Sequence, residues 1–208
     1  MAKLPPLVYQ FRVSLLEIQP EIWRRIQVPS NYNFWDLHVA IQDAMGWLDY
    51  HLHSFTLKKF HGNKMLEIGI HGDEFEEIKA IPSWKADIDF FLINPGQKMT
   101  YLYDFGDHWN HEVLFEGILM KDPALKYPIC LGGERSCPPE DCGSIDGYYE
   151  ILETLKKPGT QKYKEIASWL EGHAKNYWPY EPETFHPENV KFDNPKKRFK
   201  IAFSKENC

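Results

Sequence analysis

Between Val8 and Leu48 the spacing of apolar side chains changes from every second position to every third or fourth. That switch restricts the chain to folds that pack a helix on a sheet. In "VYQFRVSLLEI", Tyr9, Phe11 and Val13 alternate with Val8, Gln10 and Arg12. After the turn-forming "QPE", the run "IWRRIQVP" sets Ile22, Arg24 and Ile26 on one side and Trp23 and Arg25 on the other, so the two runs predict a β-hairpin. In "NFWDLHVAIQDAMGW", Phe34, Leu37, Ile41, Ala44, Met45 and Leu48 recur at helical spacing, with Asn33 suited to the N-cap, Asp36 to the first turn and Gly46 to the stop.

Further on, "HLHSFTLKKF" and "NKMLEIGI" read as strands joined across "HGN". "YLYDFGDHWNHEVLF" reads as a hairpin about a two-residue Gly106-Asp107 turn of type II′. The segment "DEFEEIKAIPSWKADIDFFLINPG" fits a short buried helix through Ile88, Phe91 and Leu92, or a strand over "DFFLI". From Lys121 to Ile145 the chain reads as a long loop dense in Pro, Gly and Cys; loops of that length are functional or disordered, and this one carries many potential anchors. Two helices follow, "IDGYYEILETLKK" before Pro158 and Gly159, and "TQKYKEIASWLEGH" with Thr160 as N-cap and Gly172 as C-cap. The aromatic, proline-rich run after them is expected to wrap the body. Together these predict one α+β domain over 1–192 and a C-terminal tail over 193–208, with an antiparallel or mixed sheet of about five to six strands and helices packed on one face.

Apolar residues make up 43% of the 208, enough to bury a core against the entropy of ordering the backbone. The net charge of -6 excludes a global positive field for nucleic acid, and "KKRFK" near the end reads as a solvated tail. Without an apolar run of bilayer length or a signal-peptide core, a cytoplasmic protein with no membrane partner is expected. Cysteines 130, 137, 142 and 208 suit a reducing compartment as thiols.

Three clusters carry candidate chemistry. The hairpin gathers Tyr103, Asp104, Asp107, His108, Trp109 and His111; carboxylate and imidazole there are metal ligands or an acid-base pair, and equally turn caps and half-buried polar tips. In "HLHSF", His51 and His53 lie two apart and would project to one side of a strand, so a metal site of His51, His53 and Asp104 is one option. In "CLGGERSCPPEDCG", Cys130, Cys137 and Cys142 are the other, a structural zinc set whose fourth ligand would come from His111 or His173; as plain buried thiols they simply pack. The same loop presents Glu140 and Asp141 on a backbone stiffened by two prolines. The phosphate-loop, dinucleotide, zinc-protease and nucleophile-elbow patterns are absent from the sequence.

In order, "EIWRRIQVP", "LHVAIQDAMGWLDYHLHSF", "YLYDFGDHWNHEV", "YPICLGGERSCPPEDCG" and "GYYEIL" resemble the plasmid pRi ORF-three-like family, also labelled insertion-sequence passenger proteins, over about Val8 to Phe192. Ser144 stands where the family pattern has a second glycine. The resemblance implies a compact α+β domain found on mobile elements and as chromosomal proteins, and it implies no particular reaction. It also suggests one cleft lined by Trp23, Arg25, Trp47, His51, His53, Tyr103, Asp104 and Asp107. The resulting expectation is a non-enzymatic binding module serving mobile-element or nucleic-acid processes, with an unidentified protein or nucleic-acid partner and no cofactor beyond a divalent metal such as Zn²⁺. The alternative is a metal-dependent hydrolase using His51, His53 and the hairpin carboxylates.

Overall fold

The computed structural model describes residues 6–58, 65–70 and 80–203. Strands β1 (Leu7–Leu15) and β2 (Ile22–Pro29) form the first hairpin and lead to helix α1 (Phe34–Met45). Then come β3 (His53–Lys58), β4 (Met65–Ile70), β5 (Ile81–Pro82), the single-turn α2 (Ile88–Phe91), β6 (Lys98–Tyr103), β7 (Trp109–Met120) and β8 (Ile129–Glu134). Three helices follow, α3 (Ser144–Leu155), α4 (Gln161–Gly172) and α5 (Pro195–Ala202). The strands make one eight-stranded sheet in the order β5-β4-β3-β6-β7-β1-β2-β8, antiparallel except where β4 meets β5.

The α+β class is as expected, but the sheet has eight strands where five to six were predicted. The two additional strands lack a readable pattern. β5 has only two residues, and β8, "ICLGGE", breaks alternation with two glycines inside what reads as a loop. The expected "HGN" turn lies outside the described residues. Of the two readings for the following stretch, the short helix is the one found, with Ile88 and Leu92 buried.

One sheet face is the core face. Tyr9, Phe11, Val13 and Leu15 of β1 sit opposite Val28, Ile26, Arg24 and Ile22 of β2, and Phe11, Val13 and Leu15 opposite Phe115, Val113 and His111 of β7. Helix α1 lies over this face with ten of its twelve residues buried, so its far side needs a second cover. Helix α5 supplies part of it: Phe199 and Phe203 meet Trp35 edge-on, and Arg198 pairs with Asp43 at 2.7 Å. The basic run is therefore not simply a solvated tail. The caps of α1 are those the sequence predicts, a reciprocal Asn33-Asp36 capping box and Gly46 at φ 90°. Helix α4 keeps Thr160 as N-cap but runs through Gly172 to a cap at His173.

Antiparallel pairing sets the start of β3, the end of β6 and the start of β7 at one end of the sheet, since His53 pairs with Tyr103 and Tyr103 with Trp109. At that end too, Leu15 pairs with His111 and Trp23 with Glu134, so β8 also terminates there. The candidate residues on loops leaving these strands are thereby delivered to one rim.

Candidate functional site

The β6–β7 connection is not the two-residue turn predicted. Tyr103 pairs with Trp109, leaving five residues in which Asp104 (φ 55°) and His108 (φ 62°) are both left-handed and the His108 N–H donates to the Asp104 carbonyl at 2.7 Å. Aspartate tolerates this conformation better than most residues, because its short carboxylate bonds nearby backbone. Asp104 Oδ1 accepts from the Gly106 N–H at 2.8 Å, which leaves Oδ2 for His51.

His51 precedes β3, so strand alternation does not reach it. His51 Nε2 lies 2.8 Å from Asp141 Oδ1 and 3.5 Å from Asp104 Oδ2. One donor atom from each of the three residues lies within 4.8 Å of the others, and no other such group of three occurs among the described residues. The side chains grade from sheltered to open, Asp104 at 11% exposure, His51 at 32% and Asp141 at 50%. Asp141 (φ 57°) is also left-handed, as is the neighbouring Asp49 (φ 62°). Strained backbone of this kind persists only where its surroundings enforce it.

The enforcing contacts come from the proline-cysteine loop. Trp47 Nε1 donates to the Pro138 carbonyl at 3.0 Å, the Gly143 N–H to Asp107 Oδ2 at 3.1 Å, and the Glu140 N–H to the Tyr177 hydroxyl at 3.1 Å. Behind the recess Glu140 is buried and accepts from the Tyr103 hydroxyl and the Leu48 N–H. Burial raises the Glu140 carboxyl above its ordinary range, and burial with the adjacent carboxylate pushes the Tyr103 phenol far up. Trp109 is buried and packs 6.0 Å from Trp47, forming wall and not surface.

Other candidates lie elsewhere. His53 turns into the core, where its ring stacks on His38 with centroids 3.6 Å apart and planes 9° apart, so it does not join His51. His111 is buried against the Tyr101 carbonyl, and burial lowers its pKa to about 4. Trp23 and Arg25 occupy the opposite sheet face, where Arg25 pairs with Glu116 at 2.8 Å and Trp23 lies between Arg12 and Arg25. The single cleft joining them to the hairpin is not formed, because alternation turns Arg24 inward with Ile22 and Ile26 and leaves Trp23 and Arg25 on the outward face. The three cysteines form no ligand set: Cys130 bonds the Gly132 carbonyl, Cys137 is buried with its thiol raised to about 12, and burial also raises the thiols of Cys142 and Cys130. Protonated thiols of this kind are poor nucleophiles.

Sequence reading passes over His38 and Asp49. His38 Nδ1 meets the Tyr101 hydroxyl at 2.8 Å and His38 Nε2 meets Asp49 Oδ1 at 2.7 Å, in a chain that continues to Arg198 at 3.7 Å. The available signal is a histidine on the apolar stripe of a helix, which requires a partner when buried.

Fold and recess together define an α+β protein with a mixed eight-stranded sheet carrying a carboxylate-imidazole recess on one rim. Residues 7–189 match the family described as plasmid pRiA4b ORF-3-like protein, and the chain belongs to that family. It is 31% identical over 165 residues to uncharacterized protein y4hQ of Sinorhizobium fredii (strain NBRC 101917 / NGR234), covering 78% of this chain and 80% of that protein. The crystal structure of the protein of unknown function MM3350 from Methanosarcina mazei Go1 is similar in fold, with a TM-score of 0.77 and 40% identity over 90% of this chain and 99% of that one. No helix among the described residues is long and apolar enough to cross a membrane.

Proposed function

We propose that the protein is a binding module whose centre is the recess of His51, Asp104 and Asp141, and that its immediate ligand is a divalent cation. The observation carrying this reading is the spacing of the three donor atoms. Two ligands each ~2.1 Å from one ion, at tetrahedral or octahedral angles, lie roughly 3.0 to 3.4 Å apart. The His51 pairs at 2.8 and 3.5 Å bracket that separation, and the Asp104 and Asp141 donor atoms lie within 4.8 Å of each other. One imidazole with two carboxylates suits Zn²⁺ or Mn²⁺, and the exposure of Asp141 leaves a position for a further ligand. The competing account is an imidazolium held between two carboxylates with no ion.

Calorimetric titration of chelator-treated protein with Zn²⁺ and Mn²⁺ separates the two. One stoichiometric site that is lost in His51→Ala and kept in Cys137→Ser supports the cation site; heat of dilution alone overturns it.

Glu140 favours a second reading, a metal-dependent hydrolase. A buried carboxyl with a raised pKa, next in sequence to Asp141 of the proposed cation site, has the character of a general acid. Turnover of an activated ester or phosphodiester by metal-loaded protein, lost in Glu140→Gln, supports it; metal binding with no turnover refutes it. A nucleic-acid partner would meet Lys196, Lys197 and Lys200 of α5, since the recess itself is acidic; salt-dependent retention on DNA or RNA tests this, and failure to bind at low salt removes it. An accessory role on mobile elements draws its support from the family's plasmid-derived description.

A further inference from the structure

On the other side of the proline-cysteine loop from the recess lies a cleft of about 590 Å³, between the C-terminal end of α1 and the segment that follows α4. Its walls include Arg24, Met45, Lys175, Tyr177 and Val190. Arg24 is 1% exposed, yet all its hydrogen bonds go to neutral backbone carbonyls. Nε donates to Ala44, Nη1 to Trp23 and Glu134, and Nη2 to Arg135, each at 2.8 or 2.9 Å. A guanidinium carries five N–H donors, so one remains. Its face lies on the Phe185 ring, 3.6 Å from the centroid, which supplies part of the compensation, and no carboxylate among the described residues pairs with the charge. Buried charges are ordinarily paired, because desolvation is otherwise uncompensated.

Lys175 is a second cation in the same cleft. The residue is exposed along part of its length, but its ammonium reaches inward until a methyl group on Gly46 would lie 2.7 Å from Nζ. Its Nζ lies 5.5 Å from the Tyr177 ring centroid and makes no ion pair or hydrogen bond among the described residues; burial lowers its pKa against the raising effect of Glu140 and Asp43. The C-terminal dipole of α1 explains part of this arrangement, since both cations sit at that helix end. Its charge is only about half a unit, less than the two cations bring. Lys191 adds a third cation, and His186 of the lining faces Glu188 at 3.4 Å. Against these the lining offers two carboxylates, Glu181 and Asp43, and Asp43 is already held by Arg198 at 2.7 Å and by the Asp193 N–H at 2.8 Å. A positive excess therefore faces a cleft of the size that holds small ligands.

We propose that this cleft binds a small organic oxyanion, its charged head between Arg24 and Lys175 and its apolar body along Met45, Tyr177 and Val190. The shared chemistry is a phosphate monoester or a carboxylate. The site shares none of its proposed ligand-contacting residues with the cation recess, although Tyr177 accepts from the Glu140 N–H beside Asp141.

Calorimetric titration in Tris chloride at neutral pH and low ionic strength, with phenyl phosphate and with benzoate, tests it. Saturable 1:1 binding of phenyl phosphate alone assigns a phosphate ester, and of benzoate alone a carboxylate. Lys175→Met should weaken that binding about tenfold or more, as expected for one lost charge-assisted hydrogen bond, with Lys175→Arg restoring most of it. Asp141→Asn should leave it unchanged, which keeps this result distinct from the fate of the cation site. Absence of saturable binding by both probes, or equal binding by Lys175→Met and the parent protein, overturns the proposal. Lys175 lies at the surface end of the cleft, so these variants keep the fold where an Arg24 variant would not.

Discussion

The hydroxyl of Tyr103, at the end of β6, donates to the carboxylate of Glu140 in the proline-cysteine loop. The same hydroxyl accepts from the Tyr50 N–H at 3.1 Å, so one oxygen ties the hairpin, the approach to β3 and the loop together. Tyr103→Phe would leave a buried carboxylate oxygen and a backbone N–H without partners, at a cost of about 1 to 3 kcal/mol. Urea denaturation should show the midpoint falling with an unchanged slope. If the recess is a cation site, the cation affinity should fall several-fold as well, because Asp141 follows Glu140 directly.

His111 predicts a pH dependence of stability. Its pKa is about 4 in the folded protein, because burial excludes the charged form, against about 6.5 when unfolded. The unfolded state thus takes up a proton first, and stability is lost as pH falls from about 6.5 towards 4, by up to ~3 kcal/mol. Nε2 of His111 is buried with no hydrogen-bond partner of good geometry among the described residues. Burial raises Glu140, Asp43 and Asp36, and these titrate with the opposite sign. They are common to the parent and to His111→Leu, so the difference between the two stability-pH curves isolates the histidine. The parent should lose stability across that window relative to the variant, and parallel curves would contradict the assignment.

Ser144 carries φ 66° at the start of α3, beside Gly143 at φ 85°. A non-glycine residue there costs about 1 to 2 kcal/mol, while glycine adds about 0.5 to 1 kcal/mol of unfolded-state entropy. Ser144→Gly should therefore stabilise the protein by roughly 0.5 to 1 kcal/mol, read as a rise in the thermal midpoint. A fall would mean that the serine side chain makes a compensating contact.

How far the sequence reaches can be judged residue by residue. The caps of α1 are legible because Asn33, Asp36 and Gly46 act on backbone within a turn of themselves. The inward face of β2 is legible too, since alternation groups Arg24 with Ile22 and Ile26. Strand β8 is not, because Gly132 and Gly133 carry no facial pattern. The rim segments can be picked out, but not which of their side chains meet. That depends on left-handed turns at Asp104 and Asp141, and on β3 starting at His53 and not at His51, none of which periodicity encodes. Trp23 and Arg25 attract attention as polar and aromatic groups, yet a polar group on the outward face of a strand has no route to a recess on the core side.

Arg198 carries the last prediction, since it joins α5 to the buried interior. It pairs with Asp43 at 2.7 Å and lies 3.7 Å from Asp49, which in turn holds His38. The Asp43 side chain is only 6% exposed, and burial raises its pKa against the lowering effect of Arg198. Arg198→Ala would leave that carboxylate with only the Asp193 N–H as partner and cost about 3 kcal/mol at neutral pH, the scale for removing one partner of a buried pair. Without the guanidinium the folded-state pKa of Asp43 rises further above its unfolded value, so the penalty is full above the folded pKa and disappears as pH falls through it. The destabilisation of Arg198→Ala relative to the parent should therefore shrink on acidification, while Asp43→Asn combined with Arg198→Ala should show no such recovery. Thermal midpoints of the three proteins across the acidic range check this, and a pH-independent difference would show that Asp43 keeps its charge by reaching water or another cation.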